Sequence, residues 1–237
     1  MKTEQQAPGT APIVALTDGG VDPVDAEQGA LQRARIFAEP LLAGRLLDSG
    51  EPALAHADGV ADILQAIGAG PGMRAAAYLV YAGEFLQKPE EVVAKAFGDS
   101  YAGLVAHTRK LVQIQRAARE AQVEAEQRAQ QTERVRKMLL AFSRDLRVVL
   151  LRLASRLQTL RWHAATRTPC PLLLAQESQQ VSAPLANRLG IWQIKWEMED
   201  LVFRFLQPDD YKRLAKALAE TRVQREAGIE VTRSQLQ

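Results

Sequence analysis

The chain has 237 residues, of which 47% are hydrophobic and 24% charged, and its formal net charge is only +2. This length and composition are typical of a soluble globular protein with an ample core, and so small a charge does not indicate a nucleic-acid partner. The single cysteine, Cys170, excludes an intrachain disulfide and favours a reducing cytoplasm, and no apolar run approaches the roughly 20 residues that span a bilayer.

The N-terminal residues differ in composition from everything that follows. Residues 1–24 carry Gln, Thr, Gly and Pro, and we interpret them as a flexible tail or, alternatively, as a remnant of expression or processing. Residues 25–237 are predicted to form one helical domain. Its first helix is predicted over Ala26–Leu47, with Pro40 kinking or splitting it, and a turn follows at residues 48–52.

Four shorter helices come next, each bounded by glycine or proline. They are predicted over Ala53–Ile67, Met73–Leu86, Pro89–Phe97 and residues 99–115. Proline is favoured in the first turn of a helix, as at Pro89, and Gly98 is expected to end the same helix.

The middle of the chain changes from polar to strongly apolar. Arg116–Arg134 holds almost no large apolar residue, and we interpret it as partly solvated helix and partly loop. An amphipathic helix is predicted from about Thr132, and a far more apolar one, the central helix, over Asp145–Arg161. We expect the central helix to be buried, because exposing so much hydrocarbon to water is costly. A linker is predicted over Trp162–Pro171.

The C-terminal part is again helical. Helices are predicted over Leu172–Leu189, with an interruption around Pro184, over Ile191–Leu206 and over Pro208–Ala227, and Gly190 is expected to stop the first of them. Trp192 and Trp196 share one face of the second, which favours either an interdomain or dimer surface or plain core packing. Because no stretch predicts a strand, the fold class is all-α.

One polar stripe interrupts the central helix. Arg152, Ser155, Arg156 and Thr159 recur at helical spacing and therefore share a face. Such a face can form the wall of a site. It offers hydroxyl and guanidinium groups but no carboxylate or imidazole.

Two long stretches carry a family resemblance. KMLLAFSRDLRVVLLRLASRLQTLR (Lys137–Arg161) and APLANRLGIWQIKWEMEDLVFRFLQPDDYK (Ala183–Lys212) resemble the N-terminal region of the RelA/SpoT family, which makes and degrades the alarmone (p)ppGpp. The resemblance implies an HD-domain-like helical bundle. It also implies that a nucleotidyl-transferase domain follows, so we expect residues 25–237 to be an HD-type (pseudo)hydrolase domain that ends before the synthetase domain.

The resemblance implies a metal site that is degenerate in this chain. Active members hold a manganese ion with His, His-Asp and Asp ligands. The first histidine corresponds to His56, the His-Asp pair to Tyr81 and Ala82, and the last aspartate to Ser155. We therefore expect no metal at these vestigial positions, because hydroxyl, phenol and methyl groups are poor ligands for such an ion. No other cofactor is expected.

The catalytic and base-binding positions are changed as well. The resemblance places Phe85 and Leu86 where active members have two acidic residues, and Thr159 where they have an asparagine. Leu47 and Asp48 stand in place of the Arg-Lys pair that holds the guanine. With these groups gone, no catalytic residue and no nucleotide-binding residue is expected in this chain.

These substitutions favour a hydrolase-inactive regulatory domain of a RelA-like GTP pyrophosphokinase in the stringent response. The implied partners are the synthetase and regulatory domains of the parent chain, the ribosome through that parent, and a second copy; no membrane or direct nucleic-acid contact is expected. An alternative is a surviving metal-dependent (p)ppGpp 3′-pyrophosphohydrolase that uses His56 and Glu84 with Asp58 or Asp62. A nucleotide-binding sensor is a third possibility, which the acidic group of Asp48 argues against.

Overall fold

The computed structural model describes residues 23–120 and 145–219. The predicted tail up to residue 22, the helix predicted from about Thr132 and the polar end of the last helix lie outside these ranges. Within them no strand occurs, and the only pairing of extended residues is one isolated antiparallel bridge between Leu46 and Pro52. The all-α prediction is confirmed. No helix in the described ranges has the length and apolar character that a bilayer crossing needs.

The helices are α1 (Pro23–Leu42), α2 (Ala53–Ala66), α3 (Pro71–Gly83), α4 (Pro89–Phe97), α5 (Asp99–Glu120), α6 (Leu146–Thr166), α7 (Leu172–Glu177), α8 (Ala183–Arg188) and α9 (Trp192–Leu206). A π-helical turn, Ser178–Ser182, joins α7 to α8, and residues 208–219 form a further helix, α10. The described residues divide into two compact units, the first formed by 23–120 and 145–158 and the second by 159–219.

In the first unit, α3 is the element against which α1, α2 and α5 pack. Ala75, Ala76 and Ala77 are almost completely buried in it, and such small side chains let the helix axes approach closely. At Gly83 a Cβ atom would lie 3.0 Å from Cγ1 of Val105, so α5 packs directly against the backbone there. This close packing holds the C-terminal end of α3, which carries Tyr81, in a fixed position.

The sequence placed α4 correctly but misjudged the ends of α1 and α3. α1 begins at Pro23 and ends at Leu42, five residues before the predicted end, and Pro40 lies inside its last turn without splitting it. The chain then turns through Gly44, whose φ is +69°, a conformation that side chains disfavour. α3 begins at Pro71 and ends at Gly83, so the predicted end at Leu86 is also wrong: residues 84–86 continue as tight turns.

In the second unit, α6 continues to Thr166, five residues beyond the predicted end of the central helix. The linker therefore starts at Arg167, which has a positive φ of 58°. The interruption predicted around Pro184 takes the form of the π-helical turn just before it, in which the N–H of Ala183 donates to the carbonyl of Ser178, five residues earlier. The wider turn accommodates a residue that lacks an N–H. α8 then ends at Arg188, and the turn after it contains Gly190, the predicted stop, with a φ of +72°.

The face of α9 that packs inward is the one predicted. Ile194, Met198 and Leu201 are buried, and α9 packs against α7, α8 and the π-helical turn. Trp192 and Trp196 lie on the surface with 52% and 64% of their area exposed. Core packing of the two tryptophans, one of the two predicted alternatives, is therefore wrong for this chain.

Candidate functional site

His56 is the centre of a buried polar network in the first unit. Its side chain lies on α2 and is almost completely buried. Its Nδ1 is 2.6 Å from Oε2 of Glu51, and its Nε2 is 2.8 Å from the hydroxyl of Tyr81 and 3.3 Å from Oγ of Ser155. Both ring nitrogens therefore have hydrogen-bond partners within the protein.

Glu51 is held in place by the turn that precedes α2. Gly50 adopts a φ of +84°, and the carbonyl of Glu51 accepts from the N–H of Leu47, which directs the Glu51 side chain into the interior. Its second oxygen, Oε1, accepts a 2.7 Å bond from Nε2 of Gln158 on α6. That amide packs over Gly59, where a Cβ atom would lie only 2.3 Å from Oε1 of Gln158. Glu51 is thus fully buried with both oxygens hydrogen-bonded.

Arg152 extends the network from α6 to α5. Its Nε and Nη2 both donate to Oε1 of Gln115, at 3.1 and 2.8 Å, and its Nη1 donates to Oγ of Ser155 at 3.4 Å. Gln115 and Ser155 are both buried. Because a guanidinium group does not lose its proton in proteins, Arg152 places a permanent positive charge beside the hydroxyl that faces His56.

The hydrogen-bond directions follow from the chemistry of the groups. Glu51, as a carboxylate, can only accept, so Nδ1 of His56 carries the proton of that bond. In the neutral imidazole, Nε2 is then the acceptor for the hydroxyl of Tyr81. Burial raises the pKa of Tyr81 to about 12, with Arg152 acting in the opposite direction, so the phenol stays protonated and donates at neutral pH.

This donor set does not fit a divalent metal ion. Nε2 of His56, the nitrogen that would have to bind the ion, is occupied by Tyr81, and both oxygens of Glu51 are hydrogen-bonded. Only the hydroxyl of Ser155 separates the guanidinium of Arg152 from His56, and this cation would repel a second positive charge. In the described ranges no three His, Cys, Asp or Glu side chains come together as metal ligands would.

The structure brings three of the four vestigial metal positions together, since His56, Tyr81 and Ser155 are hydrogen-bonded. The fourth, Ala82, is buried on α3 and packs in the core. That these positions once formed a metal site stays a prediction. Thr159 is half-buried on α6 in the second unit.

The remaining predicted positions lie at the ends of helices. Phe85 and Leu86 follow α3 and are half-buried, and the guanidinium of Arg45 lies 5.3 Å from the ring centroid of Phe85. Leu47 is half-buried in the turn before Glu51. Asp48 is exposed and forms an ion pair with Arg116 of α5. Their assignment as lost catalytic and base-binding positions is not tested by this geometry.

The ligand set of the alternative hydrolase is not assembled. Asp58 accepts a 2.7 Å bond from the hydroxyl of Tyr78 and a 3.2 Å bond from Arg35. Glu84 lies at 4.0 Å from Arg109. None of these contacts involves His56, whose only carboxylate neighbour among the described residues is Glu51. The alternative requires His56 and Glu84 to converge with Asp58 or Asp62, and no such group of three is found among the described residues.

Sequence reasoning missed three members of the network: Glu51, Gln115 and Gln158. Glu51 lies between Gly50 and Pro52, a setting typical of a surface turn, and the neutral amides of the two glutamines carry no motif. The usable signal was the interval of five residues between Glu51 and His56. This interval places a carboxylate in the turn before α2 within hydrogen-bond distance of an imidazole near the start of that helix.

Residues 34–192, about two thirds of the chain, match the sequence profile of the HD domain. Together with the helical fold, this match shows that the chain belongs to the HD-domain family. Its similarity to curated proteins is to RelA/SpoT-type enzymes of (p)ppGpp metabolism.

Three relatives illustrate the range. A probable guanosine-3′,5′-bis(diphosphate) 3′-pyrophosphohydrolase of Synechocystis is 35% identical over 92% of the chain. The GTP pyrophosphokinase of Escherichia coli K12 is 41% identical over 60% of it, and that of Myxococcus xanthus 34% over 88%. The chain spans 28%, 19% and 27% of these proteins, respectively. Less than a third of each relative is therefore matched.

Proposed function

We propose that this chain is a hydrolase-inactive HD-type regulatory domain of a RelA-like GTP pyrophosphokinase. The observation that carries the proposal is that both nitrogens of His56 are bonded to side chains of the protein while Arg152 places a positive charge next to them. Water cannot be activated there by a metal for which no lone pair remains. The imidazole is also almost completely buried, so it cannot accept a proton from a substrate.

The competing proposal is a (p)ppGpp 3′-pyrophosphohydrolase with an atypical site. The name of the Synechocystis relative favours it, since that protein aligns with 92% of the chain. The site chemistry favours the inactive domain, because Glu51 is the only carboxylate in contact with His56 among the described residues and both of its oxygens are hydrogen-bonded.

An inactive domain acts through contacts. We propose that it packs against the synthetase and regulatory domains of a longer parent protein and transmits their state, and that it meets the ribosome only through that parent. Trp192 and Trp196, exposed on α9, are the surface we assign to such a contact or to a second copy. The proposed location is the cytoplasm, where GTP and (p)ppGpp occur.

Two measurements on the purified chain test the proposal. ppGpp is incubated with the protein and Mn²⁺, and pyrophosphate release is followed by chromatography, with the Synechocystis protein as the positive control. Mn²⁺ binding is measured separately by the loss of the free-ion electron paramagnetic resonance signal. We expect no turnover above background and no stoichiometric binding. Turnover that disappears in His56→Ala would establish the competing hydrolase.

A further inference from the structure

The network around His56 has a carboxyl group at one end and a guanidinium group at the other. Glu51 is a fully buried carboxylate, and Arg152 is a guanidinium at the other end of the network. They are joined through two intermediate side chains, with separations of 2.6 Å from Glu51 to His56, 3.3 Å from His56 to Ser155 and 3.4 Å from Ser155 to Arg152. A buried charge without a compensating charge is strongly destabilising, so this carboxylate requires a cation nearby.

We propose that the guanidinium of Arg152 is the resident cation of this site. It supplies the positive charge that a metal would bring, balances Glu51 and makes the site independent of any bound ion. The assignment goes beyond the proposed function, because it concerns what occupies the site rather than whether the domain hydrolyses (p)ppGpp.

The surroundings of Arg152 are shaped for a planar cation with several N–H groups. Oε1 of Gln115 accepts from Nε and Nη2 together, and Ser155 accepts from Nη1. These acceptors match the fixed directions of the N–H groups of a planar guanidinium, which a spherical ion does not have. Removing the side chain beyond Cβ should therefore leave a vacant subsite that prefers free guanidinium to a metal ion.

The test is chemical rescue of Arg152→Ala. We expect the substitution to lower the thermal midpoint by roughly 10 °C, because it leaves a buried charge uncompensated. Guanidinium sulfate at low millimolar concentration should restore most of that loss while leaving the midpoint of the wild-type chain unchanged. Urea has nearly the same size and shape but no charge, so at equal concentration it should restore none of it.

Two variants make the outcome decisive. Arg147→Ala removes a guanidinium from the same helix that bonds Asp145 and Ser100 outside the network, and guanidinium should not rescue it. If Arg152→Ala does not fold, Arg152→Ser is used, because its short side chain leaves the same space vacant, and the refolded yield is compared with guanidinium and with urea.

Equal rescue by urea, no rescue by either compound, or an unchanged midpoint in Arg152→Ala would each overturn the assignment. Stabilisation of the wild-type chain by Mn²⁺ would also overturn it, because a second cation could then be accommodated beside Arg152. Hydrolysis of ppGpp without such stabilisation would contradict only the proposed function, so the two failures can be told apart.

Discussion

Two polar clusters lie on α2 only two residues apart, and they are built differently. His56 faces the interior, and its bonds link it to partners near α2, on α3 and on α6. Asp58 faces outward, where it accepts from Tyr78 and Arg35 beside an open cavity of about 630 Å³. The side chains of Arg35 and Asp58 are 48% and 37% exposed, whereas those of His56 and Glu51 are 2% and 1% exposed.

The contrast shows that burial determines how much a polar contact contributes to the free energy of unfolding. In the Asp58 cluster, water can replace any lost bond, so the ion pair contributes little. In the His56 network His56 and Glu51 are buried away from water, so removing one of their partners leaves a charged or polar group without compensation.

The largest effect is expected from Glu51→Ala. It leaves Nδ1 of His56 and Nε2 of Gln158 without an acceptor and opens a cavity, so the free energy of unfolding should fall by about 3–5 kcal/mol. Urea unfolding followed by circular dichroism measures it, since the first unit is helical and its unfolding lowers the helix signal. A loss below about 1 kcal/mol would mean that the network is not the strongly coupled buried cluster described here.

A smaller loss is expected from Gly59→Ala, because the new methyl group would displace the amide of Gln158 from Glu51. We expect a loss of about 1–3 kcal/mol in the same unfolding measurement. Gly103→Ala is the matched control. It lies in helix α5 with nothing within 4 Å of the new Cβ, so this change should stabilise by up to about 1 kcal/mol. The same sign for both variants would contradict the packing of Gln158 over α2.

On the outer side of α2, Tyr78→Phe removes the 2.7 Å bond to Asp58 and should cost about 1 kcal/mol. Its pH dependence is distinctive. Burial raises the pKa of Tyr78 to about 12 from a usual value of 10, so the folded state favours the protonated phenol. The stabilisation is complete below pH 10 and is lost as the pH rises towards 12. Wild type should therefore lose stability relative to Tyr78→Phe across that interval, which unfolding curves at pH 9, 10 and 11 would reveal.

The smallest effect is expected from Arg35→Gln. Asp58 keeps its bond to Tyr78 and water takes the place of the guanidinium, so the change should lie within about 0.5 kcal/mol. A measured loss as large as that of Glu51→Ala would remove the distinction between the two clusters. Raising the salt concentration should reduce the effect of Arg35→Gln further and leave that of Glu51→Ala unchanged.

The sequence was informative where a helix boundary has a local cause. Pro89 and Gly98 frame α4 at the predicted residues, and Gly190 lies in the turn directly after α8, because ring geometry and a positive φ act within one turn. The ends of α1 and α3 depend on packing instead. The helix α1 continues through the proline in its last turn. The turn that follows is held by the bridge between Leu46 and Pro52, which are six residues apart in the chain.

The site divides in the same way. His56 and the Arg152–Ser155 stripe could be found from chemistry and helical spacing, and Tyr81 from the family resemblance. Glu51, Gln115 and Gln158 could not be found in this way, because tertiary packing decides whether an acid or an amide faces inward. The hydrogen bonds of the two glutamines join residues that are 37 or more positions apart in the chain. Burial of a charge is therefore the property of this site that the sequence predicts least well.

The π-helical turn at Ser178–Ser182 amounts to one additional residue within a continuous helix. Each residue of an α-helix advances the direction of the side chains by about 100°, and the wider π-helical turn takes up that angle locally. A family member that lacked the residue would therefore have a regular α-helix here and would still present the same side of α8 to α9. Its alignment with this chain would need a single gap between Leu174 and Pro184, since an ungapped comparison would pair inward-facing positions with outward-facing ones.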